Sequence, residues 1–228
     1  MVSRIDRKQV VDTALRLLNE VGLDGLTLRR IAKELNVQAP ALYWHFKNKQ
    51  ELLDEMATEM FRRMKWPQLS PDGREAEGAV RTWQDTLLTC ARALRRELLA
   101  YRDGGKVFSG TRLTDDSHAA PTDRLLGRLT AEGFTPAEAA RAWWTVYNFT
   151  IGLVIEEQSI HPDPADPADR DPAYDLERRA RRLGESHPLA AAAGWEMFGD
   201  VEAGFEAGLR IIVAGVEATT SGGRPGSA

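Results

Sequence analysis

The sequence is poor in cysteine and has no long apolar run. A single cysteine, Cys90, among 228 residues excludes an internal disulfide and a cysteine-rich zinc site. No stretch of about 18 consecutive apolar residues occurs, so no helix is expected to cross a membrane. The opening MVSRIDRKQVVDTAL is charged and lacks the apolar core of a secretory signal, which predicts a cytoplasmic protein.

Catalytic patterns are also lacking. Three of the four histidines, His118, His161 and His187, lie in proline-rich or polar, loop-like contexts. No Ser/His/Asp set and no paired carboxylates emerge, and the glycine-rich YRDGGKVFSG lacks the strand–turn–helix setting of a phosphate-binding loop. We therefore expect no enzyme activity, no cofactor and no bound metal.

The net charge of −4 is unevenly distributed. Residues 1–50 hold nine Lys or Arg against five Asp or Glu, which gives +4 and leaves −8 for residues 51–228. A basic N-terminal part on an acidic body is typical of proteins that bind a polyanion. Charge alone is weak support, because charged runs are usually solvated faces.

The first fifty residues carry three successive helical patterns. Apolar residues recur at helical spacing over 6–21, and Gly22 follows as a stop. Thr27 can cap a second helix, which Asn36 can end in the left-handed conformation. A short third helix is predicted over 38–46. This spacing is typical of a three-helix helix-turn-helix domain.

The third helix presents an unusual outer face. Leu42 and Phe46 suffice to hold it to a core, and Tyr43 and Trp44 then face outward. Large aromatic side chains beside lysines suit a DNA major groove, where side chains address base edges and phosphates. The alternative interpretation is that Tyr43 and Trp44 pack between domains. The other outward residues are Gln38, Ala41 and His45, with Lys47 and Lys49 nearby.

The rest of the chain also predicts helices, since no period-two alternation persists, and the fold class is all-α. Two segments are turn-rich: 66–78, and 159–175 with four prolines and five aspartates, which predicts a mobile loop. Helices are predicted at 48–63, 79–100, 135–157 and 176–183, and from 189 or 195 to 218, followed by a disordered tail at 219–228.

The stretch LTLRRIAKELNVQAPALYWHFKNKQELLDEMATEM resembles the DNA-binding domain of the TetR family, and LYWHFKNKQELLD is its most specific part. Further on, YRDGGKVFSGTR and NFTIGLVIEEQ resemble the ligand-binding core of the tetracycline repressor subgroup. The resemblance implies a helix-turn-helix domain at 1–50 and a larger ligand-binding and dimerisation domain at 51–218, joined by a connecting helix at 48–65.

The resemblance also implies particular DNA contacts. Phosphate contacts fall on Thr27, His45 and Lys49. Residue 41 is alanine where tetracycline repressors usually have threonine, and residue 39 is alanine where they have glutamine, so we expect a different operator. Base contacts fall on Arg29, Gln38, Pro40, Ala41, Tyr43 and Trp44.

The effector pocket departs from the subgroup. Tetracycline repressors bind a drug–magnesium chelate, and their metal-binding histidine falls on Phe108. Their drug-binding asparagine falls on Cys90, and a second histidine falls near Met64 or Lys65. Glu156 stands where the family places an acidic group on a metal-bound water. A phenyl ring cannot ligate a hard cation, so we expect an effector that binds without magnesium.

An aromatic pocket is predicted instead, suited to a flat aromatic or polycyclic effector. The alternative is that Trp143 and Tyr147 are ordinary core residues at helical spacing. Cys90 is predicted to be a small buried apolar residue rather than a redox sensor. The predicted effector-binding residues are Lys65, Trp83, Cys90, Leu94, Phe108, Thr111, Arg112, Arg124, Leu125, Trp143, Tyr147, Asn148 and Glu156.

The sequence thus predicts a homodimeric repressor that binds a palindromic operator in double-stranded DNA and is released by a small molecule. A magnesium–tetracycline-responsive repressor and a transcriptional activator remain alternatives. The glycine-rich segment 104–112 is expected to act as a lever on the fourth helix. The predicted dimer surface comprises Ile151, Leu153, Val154 and Ile155 with Phe205, Leu209, Ile212, Val213 and Val216.

Overall fold

The computed structural model describes residues 5–69, 82–163, 165–166 and 170–220, and within these ranges the chain folds entirely into helices and loops. None of the helices in these ranges is long and apolar enough to cross a membrane. One-turn 3-10 helices lie at Pro172–Tyr174 and Gly184–Ser186. The α-helices are α1 (Arg7–Gly25), α2 (Leu28–Glu34), α3 (Ala39–Leu42), α4 (Lys49–Arg63), α5 (Trp83–Leu99), α6 (Gly104–Phe108), α7 (Ala119–Ala131), α8 (Pro136–Ile160), α9 (Leu176–Leu183), α10 (Pro188–Phe198) and α11 (Val201–Thr219).

Local sequence signals set the bounds of the first four helices. Gly22 has φ 69°, which kinks α1, and Asn36 has φ 53° just beyond α2. The Thr27 hydroxyl accepts from the Arg30 N–H, and the Asn48 side chain accepts from the Glu51 N–H, which caps α2 and α4. The caps and the left-handed Asn36 are as the sequence predicts, but the predicted stop at Gly22 is wrong, because Gly22 only kinks α1, which continues to Gly25.

The third helix is shorter than predicted. It ends at Leu42, whose carbonyl accepts from the N–H groups of both His45 and Phe46 at 2.9 Å. This tightened turn is common at helix ends. It carries Tyr43 and Trp44 and returns Phe46 to the core.

One apolar core joins the N-terminal helices to the body. It contains Leu18 and Leu42 of the first three helices and Met60 of α4, together with Leu98 of α5 and Val154 of α8. A second core lies between α5, α7, α8 and α11. Because α4 contributes to the first core along most of its length, it links the helix-turn-helix to the body mechanically.

Two short helices were not predicted. In α6, Gly104 is buried, and a Cβ there would lie 2.2 Å from the Leu98 carbonyl oxygen, so close packing rather than backbone freedom requires glycine. α7 begins after His118 and carries Pro121 in its first turn, where proline is tolerated.

Other predicted bounds also shift. The expected single C-terminal helix divides into α10 and α11, because Asp200 caps α11 by accepting from the Ala203 N–H. α8 continues to Ile160, and α11 includes Thr219, at the start of the predicted tail. α5 begins at Trp83 after the Thr82 cap. Other predictions covered residues that lie outside the described ones, namely 79–81, 164, 167–169 and 221–228.

The predicted dimer surface is partly interior. Val154, Phe205 and Leu209 have no exposed surface because they pack inside the protomer's own cores, Val154 in the first and the other two in the second. The prediction was wrong for these three residues, since periodicity alone does not separate a protomer core from a dimer core. The large exposed apolar residues of the last two helices are Leu189, Trp195, Met197 and Ile211.

Candidate DNA-binding surface and effector cavity

The turn after α3 presents two aromatic side chains to solvent. Tyr43 is 56% exposed and Trp44 is 90% exposed, whereas Leu42 and Phe46 are completely buried. The prediction of an outward aromatic face is confirmed for the described chain, and Tyr43 and Trp44 do not pack between domains. A tryptophan this exposed forgoes the free energy of burying its apolar ring in the core. The exposed ring therefore indicates a binding surface.

Arg7 holds this turn in place. Its Nη1 donates to the His45 carbonyl oxygen at 2.5 Å, and its guanidinium lies 4.3 Å from the centre of the Phe46 ring. The same side chain pairs with Glu51 at 3.3 Å and Glu55 at 3.1 Å on α4. One arginine of α1 therefore fixes the end of the recognition turn to α4.

The other predicted DNA-contacting residues lie on the same domain. Lys49 is exposed and donates from Nζ to the Leu23 carbonyl oxygen at 3.1 Å, and the Thr27 hydroxyl caps α2. Arg29, Gln38 and Pro40 are exposed, whereas Ala41 and His45 are half-buried.

A cavity of about 250 Å³ lies in the body, between α4, α5, α7 and α8. Its walls are mainly aromatic. Tyr147 packs against Trp143 at 5.8 Å and stacks on Trp144 at 5.4 Å, while Trp66 meets Trp143 at 6.3 Å between ring centres. The lining residues are Phe61, Trp66, Pro67, Leu69, Cys90, Leu113, His118, Pro121, Thr122, Arg124, Leu125, Trp143, Trp144 and Tyr147.

The polar groups of the lining have few partners. The indole Nε1 of Trp66 and the Nδ1 of His118 are buried and have no hydrogen-bond partner in the part of the chain that the structure describes. Burial raises the pKa of the Tyr147 phenol to about 12 and that of the Cys90 thiol to about 12, so both groups are neutral at physiological pH. Buried polar atoms without partners are costly, which indicates a place for a ligand.

Five of the thirteen predicted effector residues line this cavity: Cys90, Arg124, Leu125, Trp143 and Tyr147. Phe108 lies behind the wall, packed on Phe61 at 6.4 Å and Tyr147 at 6.3 Å. Trp83 packs on Phe134 at 5.1 Å in the second core, and Leu94 is buried.

The remaining predicted residues also lie outside the lining. The Thr111 hydroxyl donates to the Phe108 carbonyl oxygen, and the Asn148 side chain donates to the Trp144 carbonyl oxygen. Lys65, Arg112 and Glu156 are exposed.

The lining residues that sequence reasoning missed come from two connecting segments. Trp66, Pro67 and Leu69 follow α4, and Leu113 and His118 precede α7. Trp66 was the available signal, since a tryptophan in a turn-rich segment needs an apolar contact. The full set of missed residues is Phe61, Trp66, Pro67, Leu69, Leu113, His118, Pro121, Thr122 and Trp144.

The residues around the cavity do not fit a magnesium ion. Magnesium prefers oxygen ligands, yet no carboxylate lines the cavity among the described residues, which also contain no group of three His, Cys, Asp or Glu side chains able to hold a metal. Phe108 is enclosed by aromatic rings.

Residues 111–118, which we call the strap, connect the cavity to α4. The Arg112 N–H donates to Asp54 at 3.1 Å, and the Thr114 N–H donates to the buried Thr58 hydroxyl at 2.8 Å. Asp115 pairs with Arg62 at 2.7 Å. Leu113 and His118 of the same segment line the cavity. The strap therefore contacts both the cavity and α4, which begins directly after the recognition turn.

An exposed recognition turn joined by one helix to a body with an aromatic cavity defines a class of protein, the helix-turn-helix transcriptional regulators with a helical ligand-binding domain. Residues 10–56 match the model of bacterial regulatory proteins of the tetR family. Residues 77–220 match that of the tetracyclin repressor-like C-terminal domain. The chain belongs to the TetR family of transcriptional regulators, as the sequence predicted.

Individual relatives agree. The tetracycline repressor protein class C of Escherichia coli is 36% identical over 220 residues, which cover 95% of this chain and 92% of that protein. The structure of a possible TetR family transcriptional regulator from Streptomyces coelicolor A3(2) is 40% identical, with a TM-score of 0.75 and coverage of 93% and 99%. The Streptomyces coelicolor protein ActR in complex with actinorhodin is 26% identical, with a TM-score of 0.75 and coverage of 94% and 97%.

Proposed function

We propose that this chain is a homodimeric repressor that binds a palindromic operator through the α3 turn and is released by an aromatic or polycyclic small molecule without magnesium. The observation that carries this proposal is the aromatic cavity, which shares the strap with α4. The relative crystallised with actinorhodin supports a small-molecule effector, because that protein shares the fold over nearly its whole length.

The proposed DNA contacts are those that the resemblance to the TetR family implies, and most of these residues are exposed. Tyr43, Trp44 and Gln38 reach base edges, together with Arg29, Pro40 and Ala41, while Thr27, His45 and Lys49 contact phosphates. Gel-shift assays on DNA upstream of the chain's own gene test this assignment. We expect Tyr43→Ala and Lys49→Ala to weaken binding, and Lys33→Ala, an exposed lysine of α2, to serve as the matched control. Unchanged affinity in both variants would exclude the assignment.

The dimer is proposed to form on α10 and α11. Ile211 is 73% exposed there, and Leu189, Trp195 and Met197 are also exposed in the single chain. A two-fold dimer places two recognition turns about one helical turn of DNA apart, which accounts for a palindromic operator. Analytical ultracentrifugation at micromolar concentration tests this, and a monomer there would contradict it.

Release is proposed to pass through the strap. A ligand against Leu113 and His118 shifts the strap, and the bonds from Arg112 and Thr114 carry that shift to Asp54 and Thr58 on α4. The spacing of the two recognition turns in the dimer then changes. This requires the ligand to favour the state that does not bind DNA.

A second candidate is a magnesium–tetracycline response, favoured by the 36% identity to a tetracycline repressor. Titrating the DNA complex with tetracycline, with and without magnesium, distinguishes the two. Magnesium-dependent release would establish this second function, and release by aromatic compounds in the presence of a chelator would exclude it. A reporter gene whose expression rises when the chain is present would indicate an activator instead.

A further inference from the structure

Several polar groups around the cavity can donate hydrogen bonds, and the charged side chain among the described lining residues is an arginine. Trp66 Nε1 can only donate, the Tyr147 phenol is kept protonated by burial, and Arg124 brings a permanent positive charge. Within the described residues, no Asp or Glu lines the cavity, and Arg124 makes no ion pair. A ligand that carries acceptor oxygens can satisfy these three donors.

The positions of these donors differ in depth. Arg124 is exposed on α7, whereas Trp66 Nε1 is buried without a partner among the described residues. An exposed guanidinium pairs best with a carboxylate, since its two oxygens accept two parallel hydrogen bonds, while a phenolate offers the same charge on one oxygen. A buried indole N–H needs an acceptor oxygen on the ring system itself, because water cannot satisfy it once the ligand fills the cavity.

We propose that the effector is an aromatic anion, a carboxylate or phenolate whose charge pairs with Arg124 and whose ring carries an oxygen that accepts from Trp66 Nε1. This inference rests on the proposed function, since it names the chemical class of ligand for the same cavity. The opposite class, a cationic aromatic compound, would meet the Arg124 charge with no carboxylate of the described lining to offset it.

The cavity volume restricts the size of this anion. About 250 Å³ lies just below the range of roughly 300–1,000 Å³ that is typical of ligand pockets. A compact ligand of two or three fused rings therefore suits it better than a large linked polycycle. The stacked pair of Trp144 and Tyr147 provides a flat wall for such a ring system.

Four compounds built on one ring system test the inference. Anthraquinone-2-carboxylate carries the charge and the ring oxygens, and 2-(hydroxymethyl)anthraquinone removes the charge. Anthracene-2-carboxylate removes the ring oxygens, and 2-(aminomethyl)anthraquinone reverses the charge. Binding to the full chain is followed by calorimetry. We expect the first compound to bind about fivefold to tenfold more tightly than the second or third, and the cation to bind most weakly.

Matched variants locate the two contacts. Arg124→Gln is expected to remove the advantage of the carboxylate over the hydroxymethyl compound, whereas Arg141→Gln, an exposed arginine on α8 outside the lining, leaves it intact. Trp66→Phe keeps the ring but loses the N–H, so it is expected to remove the advantage of the quinone over the anthracene. Neither effect is expected from a merely structural role, because each depends on one group of the ligand.

Several results of these binding measurements would overturn the charge inference. Equal binding of all four compounds, abolished by Trp143→Ala, would overturn the charge inference and leave an aromatic effector in place. Tightest binding of the cation would also overturn it. Binding that is insensitive to Trp143→Ala, or no binding of any compound, would overturn both the charge inference and the aromatic cavity as the effector site.

Discussion

The DNA-binding part and the effector-binding part differ in how their sites are assembled. The recognition turn is formed by consecutive residues, and it is held by Arg7 and by the caps Thr27 and Asn48, which begin the neighbouring helices. The cavity takes residues from the chain after α4, from α5, from the strap and from α7 and α8. A site formed by consecutive residues can be interpreted from spacing, whereas a site formed by five separate segments depends on how they pack.

The two parts nevertheless share one apolar core. A substitution that weakens the packing of this shared structure has the largest expected effect, which is on the free energy of unfolding. Gln158 of α8 is buried against the α5–α6 junction: its Nε2 donates to the Tyr101 carbonyl oxygen at 2.7 Å, and its Oε1 accepts from the Gly105 N–H at 2.9 Å. The same α5–α6 junction contacts α1, because Asp103 accepts from the Leu23 N–H at 2.9 Å. We expect Gln158→Leu to lower the free energy of unfolding by about 2–3 kcal/mol.

Hydrogen exchange tests whether that loss reaches both parts. Gln158→Leu should raise amide hydrogen exchange in α2 as well as in α8, because residues of both helices pack with α4 in one apolar core. Gln84→Leu, a half-buried glutamine on α5, is the control and should change little. If exchange rises only within residues 82–220, the two parts unfold separately and the shared core does not couple them.

A crossed pair of substitutions gives the next largest effect. Trp143→Ala removes a ring that contacts Trp66 and Tyr147, so effector affinity should fall about tenfold while operator affinity stays unchanged. Tyr43→Ala should do the reverse, with operator affinity about tenfold weaker. Fluorescence anisotropy for DNA and calorimetry for the ligand measure both. A variant that lost both activities would show that the sites are not separate.

The strap gives a smaller effect that concerns only the connection. Thr58→Val keeps the size of the buried side chain but removes the acceptor of the Thr114 N–H. We expect each affinity alone to be nearly unchanged, and the ligand-induced loss of DNA affinity to shrink about fivefold. Thr145→Val, whose hydroxyl bonds only within α8, is the matched control. Full release in the Thr58 variant would exclude the strap.

The smallest expected effect is a pH dependence within the DNA-binding part. Hydrogen bonds from Lys8 and Arg63 hold the pKa of the Asp12 carboxyl below its ordinary value near 3.8. A carboxyl whose pKa is lowered on folding stabilises the fold at pH values above its ordinary pKa. That stability is lost as the pH falls through the lowered pKa. Denaturant unfolding of the protein and Asp12→Asn should therefore differ slightly at pH 6 and converge toward pH 3. A difference that does not shrink at all between pH 6 and pH 3 would contradict this.

The same contrast explains what the sequence could predict. Gly22, Asn36 and the caps Thr27 and Asn48 act on their own neighbours, so the first four helices and the exposed Tyr43 and Trp44 were accessible from sequence alone. The cavity was found in part: Trp143 and Tyr147 lie on one helical face, but Trp66 and His118 join them only through packing. Phe108, aligned with a metal ligand of the subgroup, lies behind the wall, because alignment gives a position along the chain and not the direction of a side chain.

The central proposal is that ligand binding in the cavity and DNA binding at the recognition turn weaken each other, and that α4 carries this coupling. The most direct test measures the affinity for anthraquinone-2-carboxylate by calorimetry, first with the free protein and then with the protein saturated by its operator duplex. Linkage requires the two affinities to differ by the same factor by which the ligand weakens DNA binding. We expect weaker ligand binding on the operator complex, and equal affinity in the two states would contradict the proposal.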